Sequence, residues 1–147
     1  MPKLQKKFTD YEKDKFIKET FDTIKKIFIK ALKSIESNYG HINCDLDEIT
    51  KYKFIAKIYL NGQLKNQCKI WVGGLFSNNS ISYSEGNINI HQDNSLNDSI
   101  SVESDFDRIY LKPMGPDFFG QNNIPEKANP KEAAEYFWSK FIQNLSF

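Results

Sequence analysis

The chain has 147 residues, 39% hydrophobic, 27% charged and 14% aromatic, with a formal net charge of +1. That mix excludes a disordered polymer, which is poor in aromatic and β-branched residues, and the length suits one core without disulfide or metal support. No apolar run approaches the ~20 residues that span a bilayer, and near-neutral charge with a single arginine, Arg108, is a poor footprint for nucleic acid.

Met1 to Lys15 is dense in lysine and acids and lacks the apolar stretch of a signal peptide. Cys44 and Cys68 then read as reduced thiols, and a cytoplasmic location is expected. The heavy use of Lys, Ile and Asn suggests an AT-rich bacterial or phage genome. Thr9 followed by Glu12 is a capping-box pattern, and Ile17, Phe21, Ile24, Phe28, Ala31 and Ile35 recur at three- and four-residue steps. A helix over about 10–38 is predicted, stopped at Asn38 to Gly40 with Gly40 as a left-handed cap. Residues 1–39 hold ten Lys against six acids, +4, but the two signs interleave, which suits a solvated helix face better than a nucleic-acid surface.

His41 to Glu48 reads as a charged loop. His41, Cys44, Asp45, Asp47 and Glu48 could grip a cation, yet no second Cys/His pair stands at zinc spacing, so no metal is assigned. From Lys51 to Leu60, Tyr52, Phe54, Ala56, Ile58 and Leu60 alternate with lysines, the pattern of a half-buried strand, and Asn61-Gly62 marks a hairpin turn. A two-residue turn would pair Phe54 with Lys69 and mix faces. A three-residue loop ending at Gly62 pairs Ile58 with Leu64, Phe54 with Cys68 and Tyr52 with Ile70, and is preferred. The second strand runs through Trp71 and Val72 to Gly73-Gly74. Ile81 to Ser84, Asn87 to His91, Ile100 to Glu103 and Arg108 to Lys112 follow as strand candidates, the last two around an Asp105-Phe106-Asp107 turn. Pro113 to Ala128 is irregular. Asn129, Pro130 and Glu132 then open a helix over about 130–145, striped by Ala134, Phe137 or Trp138, Phe141 and Leu145. The whole is expected to be one α+β domain: an antiparallel sheet of four to five strands over about 51–113, with an N-terminal and a C-terminal helix packed on it.

Catalytic signatures are missing. Asp93 to Asp98 lacks the turn glycine and the final glutamate of a calcium loop, where Ser104 stands instead. There is no G-x-S-x-G elbow, no P-loop lysine after Gly73-Gly74, and Cys68 sits mid-strand on the apolar face. No catalytic residue, cofactor or metal is assigned, and an enzyme of unknown class stays as an alternative. What stands out is a set of aromatic and hydrogen-bonding residues: Trp71, Phe76, Tyr83, Glu85 and Asn89, with Arg108 and Lys112 from another strand. Aromatic faces for stacking, amides and carboxylates for hydroxyls and cations for phosphate would suit a small nucleotide-like ligand. The competing view is that Trp71 and Tyr83 are ordinary sheet residues under a helix.

Five blocks carry a resemblance: Phe54-Ile-Ala-Lys-Ile-Tyr-Leu-Asn-Gly62, Cys68-Lys-Ile-Trp-Val-Gly-Gly74, Ile81-Ser-Tyr-Ser-Glu-Gly86, Tyr110-Leu-Lys-Pro-Met-Gly115 and Glu132-Ala-Ala-Glu-Tyr-Phe-Trp138. Together they resemble a small bacterial domain of unassigned chemistry found with TIR-domain proteins, over most of residues 15–145. The resemblance implies a setting in antiphage defence or phage counter-defence and an NAD-derived signal that is sensed or sequestered. A free-standing copy is expected, so no NAD-consuming activity carries over. Beside the ligand, a TIR-type protein and a second copy of the chain are the candidate partners. A protein-interaction or dimerisation module is the alternative function, and no membrane partner is expected.

Overall fold

A computed structural model describes residues 8–73, 79–86, 98–113, 124–143 and 145. Helix α1 (Asp10–Asn38) begins as expected: the Thr9 hydroxyl accepts from the Glu12 N–H at 3.1 Å, and the Glu12 carboxylate accepts from the Thr9 N–H at 3.1 Å. Its buried stripe is Ile17, Thr20, Phe21, Ile24, Phe28 and Leu32. The stripe passes through Leu32 rather than Ala31 because the larger side chain removes more apolar surface from water. The helix stops at Tyr39, which is extended and donates its N–H to the Ile35 carbonyl, and Gly40 does not take a positive φ.

Six strands follow as an antiparallel meander in the order β1 to β6, one more than the upper expectation: β1 (Ile42–Thr50), β2 (Lys53–Leu60), β3 (Gln63–Val72), β4 (Ser80–Glu85), β5 (Asp98–Ser104) and β6 (Ile109–Pro113). The unexpected strand is β1, where a charged loop was predicted. Its apolar residues Ile42, Cys44 and Leu46 alternate with Asn43, Asp45 and Asp47, a period of two that the high acid content obscures. That alternation also separates the candidate cation ligands, with Cys44 and Glu48 on one face and Asp45 and Asp47 on the other. Among the described residues no group of three His, Cys, Asp or Glu is placed to hold a metal.

The β2–β3 hairpin differs from its expected register. Asn61 and Gly62 both take positive φ, 52° and 80°, and make a two-residue turn with Leu60 opposite Gln63. The faces are restored beyond the turn. Tyr59 pairs with Leu64 and Ile58 with Asn66, so Lys65 is an extra residue, after which Ala56 meets Cys68 and Phe54 meets Ile70. The bulge expected in the loop sits inside the strand instead. The candidate strand at 87–91 lies outside the described residues.

Helix α2 (Pro130–Ile142) repeats the capping logic with Asn129 and Glu132. Both helices pack on one face of the sheet over Phe54, Ala56, Ile58, Cys68, Ile70, Ile81 and Tyr83. Phe28 is the hub, 5.5 Å from the Phe54 ring, 5.2 Å from Trp138 and 6.1 Å from Phe141. Burying an aromatic ring of this kind contributes about 1.5–3 kcal/mol.

Candidate ligand-binding site

A strand shows alternate residues to alternate faces, so a sheet packed under helices on one side has a second side to account for. Here the second face is polar. Register puts Lys53, Trp71, Ser82 and Ser99 in one row across β2 to β5, and Ile55, Lys69 and Ser84 in the next. Ser80, Ser101 and Lys112 form a third row across β4 to β6. The middle of this face is buried: Lys69 is 1% exposed and Trp71 2%, with Ser80, Ser82, Ser84 and Ser99 buried beside them. Trp71 and Ile55 are buried yet belong to no part of the helix-side core. The Lys69 ammonium lies 4.5 Å from the Trp71 ring centroid, a cation–π contact, and Lys69 is engaged by further contacts as well. The Ser82 hydroxyl donates to the Gly73 carbonyl at 2.7 Å. Lys53 and Lys112 flank the buried floor, Lys53 half-buried and Lys112 exposed.

Tyr83 and Glu85 point the other way. They lie on the helix side, where β4, β5 and α2 close a polar seam. Asp98, 3% exposed, accepts from the Tyr136 hydroxyl and from the Ser99 N–H at 2.7 Å, with the Lys140 ammonium at 3.3 Å. Asn66 ties the seam across, donating to the Glu85 carboxylate at 3.3 Å and to the Phe141 carbonyl at 3.1 Å. The Tyr83 ring stacks on Phe137 at 5.4 Å, and its hydroxyl is buried without a properly formed hydrogen bond. Burial, then the Cys68 thiol and the Glu85 and Asp98 carboxylates, drives the Tyr83 phenol far above its usual range. Burial, with Glu85 adding, does the same to the Cys68 thiol, and burial beside Glu36 lifts Cys44 to about 11. Both thiols are therefore protonated at neutral pH and poor nucleophiles.

Arg108 stands apart from both groups. The Asp105 carboxylate accepts from the N–H groups of Asp107 and Arg108 at 2.9 and 3.0 Å and meets the Lys127 ammonium at 2.5 Å. The Lys127 contact is the main reason its pKa falls to about 2, with the two N–H bonds adding. The Arg108 guanidinium donates to the Lys127 carbonyl at 3.0 Å, so it staples the β5–β6 hairpin to the segment before α2. Of the expected site residues, then, Trp71 and Lys112 share the second face, Tyr83 and Glu85 share the helix side, and Arg108 holds a hairpin. Phe76 and Asn89 lie outside the described residues. Lys69 and the serines Ser82, Ser84 and Ser99 went unnoticed in the sequence, although Lys69 is two residues from Trp71 and must share its face in a strand.

Residues 43–143 match the Y4lF protein domain, and the chain belongs to that family. The matched stretch runs from β1 through α2 and leaves α1 outside it. The uncharacterized protein y4lF of Sinorhizobium fredii (strain NBRC 101917 / NGR234) is 29% identical over 143 residues, 97% of this chain and 43% of that protein. The chain thus spans less than half the length of that relative. No solved structure matches it. No helix among the described residues is long and apolar enough to cross a membrane.

Proposed function

We propose that the chain is a non-enzymatic binding domain for a small nucleotide-type ligand, received on the second face of the sheet. The observation that carries this is the buried Lys69–Trp71 pair set among serine hydroxyls. A face that needed only packing would be filled with apolar side chains, as the helix side is. Polar groups out of water persist only with matched partners, so a sheet face built from them rather than from apolar volume supports recognition of something polar. Hydroxyls and the Lys53 and Lys112 ammonium groups suit phosphate oxygens, and an indole suits a planar base. The resemblance to TIR-associated domains supplies the finer proposal, an NAD-derived signal sensed or sequestered in antiphage defence or counter-defence, with a TIR-type protein as partner. The Y4lF family assignment names no ligand.

The test begins with purified protein, heat-released and analysed by mass spectrometry, followed by titration with NAD, ADP-ribose and cyclic dinucleotides read by tryptophan fluorescence. A stoichiometric nucleotide, or saturable binding that Trp71→Ala and Lys112→Ala both weaken, supports the site. Unchanged affinity in both variants, with the far-ultraviolet dichroism of the wild type retained, places any ligand elsewhere.

A further inference from the structure

The edge strand β1 carries a second feature, independent of the ligand reading. Between β1 and the second half of α1 runs an open groove of about 560 Å³. Its floor is apolar, made by Ile29, Leu32 and Leu46, and its walls carry Glu36, Asp45, Asp47 and Glu48 against Lys33. β1 ends the sheet, so one row of its backbone groups faces away from β2. The Cys44 N–H belongs to that row, since it donates to the Glu36 carboxylate at 2.7 Å. Alternation of the antiparallel ladder then turns the backbone groups of Leu46 outward too. On the paired side Asp45 faces Lys57 across the ladder. On the open side Lys25 of α1 pairs with Glu48 at 2.5 Å, and among the described residues no further strand sets a cation beside Asp45 or Asp47.

We propose that β1 is a docking edge for an extended basic peptide segment of a partner protein. The segment adds as a further strand beside β1, with lysine or arginine side chains over Asp45 and Asp47 and small apolar side chains over Leu46 and Leu32. Charge complementarity selects this occupant. Two β1 edges brought together would set Asp45 and Asp47 of one copy against those of the other, and like charges facing across strands repel. Nucleic acid is disfavoured by the same carboxylates.

The test uses the full chain and an eight-residue peptide alternating lysine and valine, with a glutamate–valine peptide as control, followed by amide chemical shifts and fluorescence anisotropy. Expected are saturable binding of the lysine peptide that weakens as salt rises, shifts centred on residues 44–48, and roughly a tenfold or greater loss of affinity in the Asp45→Asn/Asp47→Lys variant. Both positions are exposed, and Asp47 lies opposite Ile55, so the variant adds no like-charge pair across the ladder. No binding up to millimolar peptide, equal binding of the glutamate peptide, or unchanged affinity in the variant each overturns the proposal. So does a dimer in light scattering that dissociates in the variant, because the edge would then belong to a second copy.

Discussion

The two faces of one sheet are built on opposite plans. Toward the helices, Phe54, Ile70, Ile81, Ile100 and Leu111 meet Phe21, Phe28, Phe137 and Phe141 in an apolar layer. Toward the other side, the neighbouring positions on the same strands are Ile55, Lys69, Trp71, Ser82, Ser84 and Ser99, and these are buried as well. Burial alone does not make a hydrophobic core. The helix-side residues are held by apolar area removed from water, whereas on the second face a cation–π contact and hydroxyl hydrogen bonds match polar groups. A packing core tolerates little but apolar volume, whereas a polar buried face persists only where its groups find partners.

The sharpest way to break this contrast is to cut the helix-side hub. Phe28→Ala removes the ring that joins Phe54, Trp138 and Phe141 and is expected to lower stability by about 3–5 kcal/mol in urea unfolding. A loss under about 0.5 kcal/mol, the range of ordinary surface changes, would mean that α2 is not held through this aromatic layer.

The helix side also holds the polar seam around Asp98, and a smaller substitution probes its one buried side-chain group without a hydrogen-bond partner among the described residues. Tyr83→Phe keeps the stack on Phe137 and deletes a buried hydroxyl that lacks a well-formed partner. The expected outcome is neutral to about 1 kcal/mol more stable in the same unfolding assay, because an unmatched polar group is removed from the core. A destabilisation above about 1 kcal/mol would show that the hydroxyl is satisfied in solution, through Glu85 or a bound water.

The smallest effect belongs to the hairpin staple at the β5–β6 turn. The Asp105 carboxyl titrates at about 2 in the folded chain against 3.8 ordinarily. A folded pKa below the unfolded one contributes stability that is present above about 3.8 and is lost as pH falls through about 2. Carbon-detected NMR titration should find the midpoint near 2, and Lys127→Met should raise it, since the ammonium is the largest cause of the depression. An unchanged midpoint in that variant would assign the shift to the Asp107 and Arg108 N–H groups alone.

Both helix starts were legible because a capping box is a local chemical pattern. Thr9 with Glu12, and Asn129 with Pro130 and Glu132, satisfy helix-end N–H groups within four residues of chain. The α+β class followed from such local periods. β1 was not legible, since Asp45, Asp47 and Glu48 weigh against a strand unless a neighbouring strand and helix supply the packing. The hairpin register was missed for a related reason: Asn61 and Gly62 do make the tight turn, and the slip that realigns the faces is absorbed at Lys65.

The candidate site divides along the same line. Parity along a strand is a property of covalent geometry, so Lys69 and Trp71 share a face whatever the fold, and Tyr83 and Glu85 share another. Which face of β4 continues the face of β3 depends on register, and register is chosen by contacts between segments distant in sequence. The amino-acid sequence by itself therefore determined the helices, their caps, most of the strands and the alternation within each. Only the tertiary structure decided that Trp71 and Tyr83 part company, that Lys112 joins Trp71 and that Arg108 staples a hairpin. Those outcomes follow from pairing Ile70 with Tyr83 and Ser101 with Lys112, pairings fixed by burying the apolar faces together under the two helices.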